Sequence, residues 1–231
     1  MDKDHNILIK FASRSRPEKF FNVIDQLYAK ADDSTRVIVL CTLDEDDPFM
    51  YNQEVVKRLI ELKNQHPETF IFNFGQSQNK IDAINRDLEL VEGRWSILVN
   101  MSDDFEVCYQ GWDTKIISDM EDHFPDTDGV LHYSDGYTHE KLCTMSVMGR
   151  AYFDRFGYIY HPSYKSLWCD NEFTVVAKNL KRYVYIDDVI ARHQHPANVG
   201  GVVDDQLRLT ESFNDEDYHN FCIRKAKNFP Q

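Results

Sequence analysis

The regular alternation of short, wholly apolar runs with helical patterns is the feature that most constrains how this chain can fold. An apolar run of about four to eight residues is typical of a strand buried on both faces, whereas apolar residues about three or four positions apart are typical of a helix with one buried face. The runs lie at residues 7–11, 37–40, 70–72 and 95–99, and helical patterns begin at Pro17 and cover residues 55–62 and 81–91. We therefore predict an α/β fold in which helices flank a mostly parallel sheet.

The second half of the chain alternates less regularly after residue 110. Its patterns predict helices at residues 111–123 and 172–180, strands at 130–133, 183–186 and 189–191, and a hairpin that turns at 134–136 and returns along 142–148. Two amphipathic pieces are predicted over residues 204–227, with a break near Asn214. The sequence contains no internal repeat and no low-complexity tract, so we expect no linker.

Charge and hydropathy narrow the classes of function. The 231 residues include 26 Lys and Arg against 39 Asp and Glu, a formal net charge of −13, and an acidic surface disfavours non-specific nucleic-acid binding as the main activity. No apolar run approaches the roughly 18 residues of a membrane span, and the N-terminus lacks the pattern of a secretory signal. We therefore expect a cytoplasmic protein without integral membrane contact. The 5 cysteines form no C-x-x-C pair, which argues against a zinc ribbon or a disulfide scaffold.

Two adjacent carboxylates, Asp103 and Asp104, directly follow the fourth apolar run. Active sites in parallel α/β sheets lie beyond the carboxyl ends of the strands. Adjacent carboxylates repel each other and lose solvation at a strand end, and a Mg²⁺ or Mn²⁺ ion that bridges to a diphosphate relieves that cost. Such pairs are also common on surfaces, so it is their position after a predicted buried strand that favours a divalent-cation site.

An acidic cluster at residues 168–173 opens a predicted helix. Helix capping is one explanation, because a carboxylate at a helix start accepts amide hydrogen bonds and complements the dipole, and Glu172 fits it well. General-base catalysis is the other, because a carboxylate within reach of an acceptor hydroxyl can take its proton. For Asp170 the two explanations are balanced.

Two further patterns indicate ligands. His193 and His195 come directly after a predicted strand, where alternate residues share one side, and neutral imidazole binds Mn²⁺ well; of the two we favour His195 as a metal ligand. Lys80 lies in the first turn of a predicted helix, where the helix dipole disfavours a cation. A nearby anion such as a phosphate would explain it, and a simple exposed lysine is the alternative.

Together these four patterns resemble the GT-A glycosyltransferases, most closely the family 2-like inverting enzymes that use nucleotide-diphospho-sugars. The resemblance spans residues 7–195 and implies a GT-A (Rossmann-like) sheet with a small acceptor-side β/α region and a helical C-terminal tail. It also implies one domain over residues 1–231, with a nucleotide-sugar-binding half at 1–108, an acceptor and catalytic half at 109–200 and the tail at 201–231.

The resemblance implies roles for individual residues. In the family, the loop after the first strand and an acidic residue after the second contact the nucleotide, and the Asp-x-Asp-type motif is matched here by residues 102–104. Asp104 then faces the metal, with His195 or His193 as a late ligand. The residues that the resemblance implies for donor binding are Ser13, Arg16, Asp44, Lys80, Asn85 and Asp103.

The reaction implied by the resemblance is transfer of a hexosyl or N-acetylhexosaminyl group from a nucleotide-diphospho-sugar, in the first instance a UDP-sugar, to an acceptor hydroxyl with inversion. Mn²⁺ or Mg²⁺ is the expected cofactor, and a saccharide is the expected acceptor. Asp170 matches the family's catalytic base, although Cys169 stands where relatives often have Glu, so Glu172 stays an alternative. An aromatic face can stack on a sugar, and we expect Trp168 to bind the acceptor.

Two other functions remain open from the sequence. A sugar nucleotidyltransferase would normally have a glycine-rich basic loop after the first strand, and residues 12–16 contain Arg14 and Arg16 but no glycine. A non-catalytic nucleotide-sugar-binding protein would keep the fold without turnover, and the departure at Cys169 keeps that alternative open.

Overall fold

A computed structural model describes residues 5–200 and 204–230 of the chain. The strands are β1 (Ile7–Ala12), β2 (Val37–Asp44), β3 (Phe70–Gly75), β4 (Ile97–Met101), β5 (Phe105–Val107), β6 (Val130–Tyr133), β7 (Val147–Gly149), β8 (Tyr183–Ile186) and β9 (Ala191–His193). The helices are α1 (Pro17–Lys30), α2 (Gln53–Gln65), α3 (Lys80–Asn85), α4 (Trp112–His123), α5 (Arg150–Phe153), α6 (Cys169–Asn179), α7 (Pro196–Val199), α8 (Asp205–Ser212) and α9 (Asn214–Ala226). Short 3-10 turns lie at Ser34–Arg36, Leu88–Val91 and His139–Lys141.

A 7-stranded sheet in the order β3-β2-β1-β4-β7-β6-β8 forms the centre of the fold. Strands β1 to β4 are parallel to one another, and β7 is antiparallel to both of its neighbours. A second, antiparallel sheet pairs β5 with β9. The prediction of a mostly parallel sheet flanked by helices is therefore confirmed. The strand order reverses between β1 and β4, and ligands of such folds bind in the crevice that a reversal of this kind leaves at the carboxyl ends of the strands.

Two apolar layers cover the main sheet. In β1, Ile7, Ile9 and Phe11 pack into one layer and Leu8 into the other, and all four side chains are fully buried. Burying each such side chain contributes about 1.5–3 kcal/mol, which explains why the run carries apolar residues on both faces. β1 also pairs with β4 from Ile7 to Phe11, and this pairing fixes the ends of the two strands against each other.

The helix predicted over residues 81–91 is wrong in its second half. Helix α3 ends at Asn85, and Asp87 adopts a left-handed conformation with φ of 71° before the 3-10 turn. The buried carboxylate of Asp87 accepts hydrogen bonds from Thr42 Oγ1 at 2.7 Å and Asn73 Nδ2 at 2.9 Å. These polar contacts with β2 and β3 replace the next helical turn.

Three other boundaries differ from the predictions. Helix α6 begins at Cys169, before the predicted start at Glu172, and β7 occupies only the end of the predicted arm at 142–148. The strand predicted at residues 189–191 lies at Ala191–His193 because it pairs with β5, a strand of 3 residues that the apolar pattern did not reveal. All five cysteines are free thiols. Within the described residues, no helix combines the length and the apolar character that a membrane span needs.

Candidate active site

A cavity of about 340 Å³ lies at the carboxyl ends of β1 and β4, a volume within the range of small-molecule sites. Its walls come from the loops after these strands, from helices α1, α3, α6, α7 and α8, and from β9. The charged and imidazole side chains that line it are Arg16, Lys19, Lys80, Asp104, Asp170, His193 and His195. The sequence predicted all of these except Lys19 as candidate functional residues, and the fold brings them together.

Asp104 is held from two sides. Its Oδ2 atom lies 3.2 Å from Nε2 of His193, and Ser102 Oγ donates to Oδ1. Burial alone would raise the pKa of Asp104, but the contacts with His193 and Ser102 lower it below its usual range. The carboxylate is therefore ionised at neutral pH, as a cation ligand must be.

His193 is positioned by the small sheet. It stands opposite Phe105 in the β5–β9 pair, and the two rings stack with centroids 4.7 Å apart. The ring of His195 lies 5.6 Å from that of His193. Burial lowers the pKa of His195, which favours the neutral imidazole that metals bind. Both imidazoles belong to the cavity wall, and His193 makes the direct contact with Asp104.

Asp103 faces the loop after β1 rather than the cavity. Its side chain is buried and accepts hydrogen bonds from Ser13 Oγ at 2.6 Å and from Arg16 Nη1 at 3.1 Å. Burial raises the pKa of Asp103, and these two donors oppose the rise. Arg16 also binds Asp204, with Nε and Nη2 at 2.7 and 2.6 Å from the two carboxylate oxygens. Arg16 therefore joins the carboxylate after β4 to the start of α8.

Asp170 and Glu172 occupy different environments in the first turn of α6. Asp170 is half-buried and lines the cavity, and burial raises the pKa of its carboxyl group. Glu172 is buried against Arg224, whose Nε and Nη2 donate to it at 2.7 and 2.8 Å, and it also accepts from Tyr164 Oη at 2.7 Å. Both oxygens of the Glu172 carboxylate thus already accept hydrogen bonds from the protein. Asp170 is the acidic residue of this turn that lines the cavity.

Two predicted donor-binding residues, Asp44 and Asn85, do not line the cavity themselves. Asp44, at the end of β2, is buried and accepts hydrogen bonds from the Ser77 amide at 3.1 Å and from Arg14 Nη1 at 3.2 Å. Asn85 donates from Nδ2 to the Tyr160 carbonyl at 2.7 Å, and its Oδ1 accepts from the Tyr160 amide at 3.2 Å. Tyr160 itself lines the cavity, so Asn85 holds part of the wall.

Trp168 packs against the C-terminal helix. Its indole Nε1 donates to Asn214 Oδ1 at 3.1 Å, and its ring lies 4.6 and 5.4 Å from the rings of Tyr218 and Phe221. Trp168 is not among the described residues that line the cavity. Its predicted contact with an acceptor therefore stays a prediction.

Sequence reasoning missed the contribution of the tail, and it did not name Asn100 as a site residue although Asn100 directly follows the fourth apolar run. Leu207 and Thr210 of α8 line the cavity, yet the sequence predicted only that α8 is amphipathic. Asn100 is 9% exposed and lines the cavity, and within the described part of the chain its Oδ1 has no hydrogen-bond partner. A polar residue at the end of a buried strand was the available signal for Asn100.

The cavity suits a divalent cation only in combination with an anionic ligand. Among residues 5–200 and 204–230, no three His, Cys, Asp or Glu side chains form a cluster that could hold a metal ion. Asp104 and His193 offer one carboxylate oxygen and one imidazole nitrogen on the same wall, a donor pair suited to Mn²⁺. Cations that bind phosphates commonly use one or two carboxylates and take other ligands from substrate and water. The side chains present fit such a cation.

Comparison with known proteins identifies solved structures with a similar fold. No protein-family model and no curated protein sequence matches the chain. The chain is similar to S. aureus TarS 1-349, with a TM-score of 0.63 and 11% identity over 83% of this chain and 61% of that one. It is also similar to the mannosyltransferase PcManGT from Pyrobaculum calidifontis in complex with GDP-Man and Mn²⁺, with a TM-score of 0.61 and 12% identity over 90% of this chain and 69% of that one.

A third similar structure is S. aureus TarS 1-349 in complex with UDP-GlcNAc, with a TM-score of 0.60 and 12% identity over 89% of this chain. The chain spans 64% of that structure and 37% of a longer TarS structure. At these identities the likeness concerns the fold, and the resemblance noted in the sequence is confirmed at that level. This chain has the GT-A fold.

Proposed function

We propose that this protein is a metal-dependent, inverting glycosyltransferase that moves a sugar from a nucleotide-diphospho-sugar to an acceptor hydroxyl. The observation that carries the proposal is the joint presence of Asp104, His193 and Asp170 on the walls of one cavity at the strand-order reversal. A cation site and a carboxylate base are the two groups that such a transfer requires.

The donor side of the cavity supports binding of a diphosphate. Arg16 and Lys80 line it, and cationic side chains of this kind pair with phosphate oxygens. Asp103, to which Ser13 also donates, holds Arg16 from behind, and Asp44 lies at the end of β2, where its carboxylate would accept a hydrogen bond from ribose or base. The proposed donor-binding residues are Ser13, Arg16, Asp44, Lys80, Asn85 and Asp103, with Asn85 acting through Tyr160. A UDP-sugar is the donor to test first.

The proposed cation ligands are Asp104 and an imidazole. His193 is supported by its 3.2 Å distance from Asp104, and His195 stays the alternative predicted from the sequence. When Mn²⁺ or Mg²⁺ is bound, it offsets the negative charge that builds on the leaving diphosphate. Arg16 and Lys80 would add to that stabilisation from the protein side.

The proposed chemistry on the acceptor side belongs to Asp170. Its carboxylate accepts the proton of the acceptor hydroxyl while that oxygen forms a bond to the anomeric carbon. The bond from the anomeric carbon to the diphosphate oxygen breaks with its electron pair, so a nucleoside diphosphate leaves and the configuration inverts. Burial raises the pKa of Asp170, and a more basic carboxylate takes the proton more readily.

The proposed acceptor is a saccharide. Thr138 and Thr144 line the cavity. Their hydroxyl groups donate to Asp135 at 2.9 and 3.0 Å, and each hydroxyl oxygen can still accept a hydrogen bond from a polyhydroxylated acceptor. Trp168, whose side chain is half-buried, is a further proposed acceptor contact. The sugar transferred is a hexosyl or N-acetylhexosaminyl group in this proposal.

Calorimetry tests the proposal. UDP is titrated into the wild type and Asp104→Ala with and without Mn²⁺, and Asp154→Ala, which removes a carboxylate that is 52% exposed, is the matched control. We expect Mn²⁺-dependent UDP binding in the wild type and the control and its loss in Asp104→Ala. Absence of UDP binding by the wild type in both conditions contradicts a UDP-sugar donor.

Turnover separates the proposal from the two alternatives. UDP-GlcNAc and GDP-Man are incubated with the wild type and Asp170→Asn, and release of the nucleoside diphosphate is measured with and without simple saccharides. Release that Asp170→Asn abolishes supports a glycosyltransferase. Tight UDP binding without release supports a non-catalytic binding protein, and release of pyrophosphate from a nucleoside triphosphate and a sugar phosphate supports a nucleotidyltransferase.

A further inference from the structure

The C-terminal helix α9 buries a carboxylate against backbone amides far away in sequence. Asp217 is 1% exposed. Its Oδ1 accepts the amide hydrogen of Lys165 at 2.9 Å, and its Oδ2 accepts those of Ser166 and Leu167, each at 2.8 Å. A carboxylate that accepts three N–H groups makes strong, charge-assisted hydrogen bonds. Asp217 therefore fixes the backbone of residues 165–167, which lie outside any helix or strand.

The fixed segment leads directly into the proposed base. Trp168 follows it with a positive φ of 63°, a conformation that costs energy for a residue with a Cβ, and α6 starts at Cys169. Because Asp170 is the second residue of α6, the direction of its carboxyl group depends on how the chain enters the helix. Leu167 and Asp170 both line the cavity, so a change at this entry would alter the cavity wall.

Helix α9 holds Trp168 as well as the segment before it. Asn214 accepts the indole hydrogen, and Tyr218 and Phe221 pack against the ring. These contacts come from the same helix as Asp217. Helix α9 thus restrains Trp168 through its side chain. It restrains residues 165–167, which precede Trp168, through their backbone amides.

A second contact sets the rotation of α6. Arg224 and Glu172 form a bidentate salt bridge, in which two guanidinium nitrogens bind the two carboxylate oxygens. Both side chains are largely buried. In a helix, positions two residues apart point to different sides. With Glu172 bound to α9, Asp170 is left on the side of α6 that lines the cavity.

We propose that Asp217 is a positioning residue that, through residues 165–167, sets the orientation in which Asp170 faces the acceptor. The role rests on the proposed function, because Asp170 is the base there. Asp217 touches neither the cavity nor a reacting atom, so it acts only through the backbone that it binds. The C-terminal tail is then part of the active site's framework and not an appendage to it.

The test compares Asp217→Asn with Glu216→Gln. An asparagine keeps the size of the side chain but places an NH₂ group where an acceptor is needed, so it can no longer satisfy all three amides. Glu216 is the neighbouring residue on the same helix, and its side chain contacts the exposed Lys165 ammonium instead of the backbone. It therefore controls for loss of a negative charge on α9.

Hydrogen exchange is the first measurement, because it needs no substrate. We expect the amides of residues 165–167 to exchange at least 10-fold faster in Asp217→Asn than in the wild type, whereas the amides of β1 and β4 keep their wild-type rates. Glu216→Gln should match the wild type throughout. Wild-type exchange at residues 165–167 in Asp217→Asn would overturn the proposal whether or not the protein is a glycosyltransferase.

Kinetics is the second measurement. We expect Asp217→Asn to lower kcat for sugar transfer at least 10-fold while KM for the donor and the Kd for UDP stay within about 3-fold of the wild-type values. Faster exchange with a wild-type kcat overturns a positioning role. If the wild type transfers no sugar, the proposed function fails, and the exchange result still decides whether Asp217 holds the segment.

A milder variant covers the case in which Asp217→Asn does not fold. Asn214→Ala removes the exposed acceptor of the Trp168 indole and a hydrogen bond from Asn214 Nδ2 to Asp215, and it leaves the buried carboxylate of Asp217 in place. We expect it to fold, to raise exchange at residues 168–170 and to lower kcat about 3-fold with an unchanged Kd for UDP. Wild-type exchange and a wild-type kcat in this variant would count against restraint of the α6 entry by α9.

Discussion

His193 Nε2 lies 3.2 Å from Asp104 Oδ2, and this contact joins β9 to the loop after β4. On its other side, Nδ1 of His193 is 3.9 Å from Oδ2 of the buried Asp135. Phe105 stacks on the ring, so the imidazole is restrained in position and in tilt. The contact with Asp104 and the stacking on Phe105 therefore fix the ring on the cavity wall, whereas the distance to Asp135 is too long for a hydrogen bond.

His193→Ala is expected to weaken Mn²⁺-supported UDP binding. Loss of a residue that orients a metal ligand typically costs about 10–100-fold in metal affinity. Loss of a ligand itself should cost at least as much, so the apparent Kd for Mn²⁺ in the presence of UDP should rise at least about 10-fold. Calorimetry with Mn²⁺ as titrant measures it. His195→Ala is the matched comparison: a larger loss in His195→Ala than in His193→Ala would identify His195, the residue favoured by the sequence, as the ligand.

Asp170→Asn is expected to separate chemistry from binding. Asparagine keeps the size of the side chain but cannot accept a proton, and general-base assistance is typically worth about 10²–10⁴-fold. The kcat for transfer should fall by that factor, while the Kd for UDP stays unchanged. Steady-state kinetics and calorimetry measure the two quantities. Asp154→Asn, which changes a carboxylate that is 52% exposed and does not line the cavity, should leave kcat unchanged. A wild-type kcat in Asp170→Asn would remove Asp170 from the mechanism.

Arg224→Met is expected to destabilise the protein strongly. The variant leaves the buried Glu172 without its cation, and breaking a buried pair in this way costs about 3–5 kcal/mol of the free energy of unfolding. Urea denaturation at neutral pH measures it. Lys165→Met breaks the exposed pair with Glu216 and is the control, since such pairs contribute about 0–1 kcal/mol. Equal losses in the two variants would contradict the difference in burial.

The sequence predicts those parts of the fold in which a short run of neighbouring residues is enough to indicate burial. The run at residues 7–11 is apolar on both faces because both apolar layers cover β1, and that pattern is readable without knowing any partner strand. Asp103 and Asp104 were found in the same way, as carboxylates directly after such a run. Their position in the site follows from the α/β class, in which ligands bind beyond the carboxyl ends of the strands.

The parts that sequence did not predict depend on partners distant along the chain. Phe105 and His193 pair across β5 and β9, and 3-residue strands are too short for an apolar pattern to reveal. Asp204 was placed at a helix start, but its bond to Arg16 spans 188 residues and has no local signal. Asp87 interrupts a helical pattern because of contacts with β2 and β3 that the helix period does not contain.

A lysine lies within the central sheet, and its position has consequences for stability. Lys10 of β1 is fully buried, and its ammonium donates to Thr42 Oγ1, which in turn donates to Asp87. Burial lowers the pKa of Lys10 to about 7. Asp87, Cys41 and Glu89 act against that decrease, and Arg86 acts with it.

The free energy of unfolding is therefore expected to rise with pH above about 7. Between the folded pKa of about 7 and the ordinary value of 10.5, the unfolded chain holds a proton that the native protein has lost, so each pH unit adds up to about 1.4 kcal/mol from Lys10. Below pH 7 both states are protonated, and the cost of the buried charge is present in full.

Urea denaturation at pH 7, 8 and 9 of the wild type and Lys10→Met isolates this contribution, because the variant shares every other titrating group. The wild type should gain about 2 kcal/mol relative to Lys10→Met between pH 7 and 9, whereas Lys57→Met, which removes a lysine that is 77% exposed, should follow the wild-type profile. Parallel profiles for the wild type and Lys10→Met would mean that Lys10 stays protonated in the folded protein, with Asp87 compensating its charge.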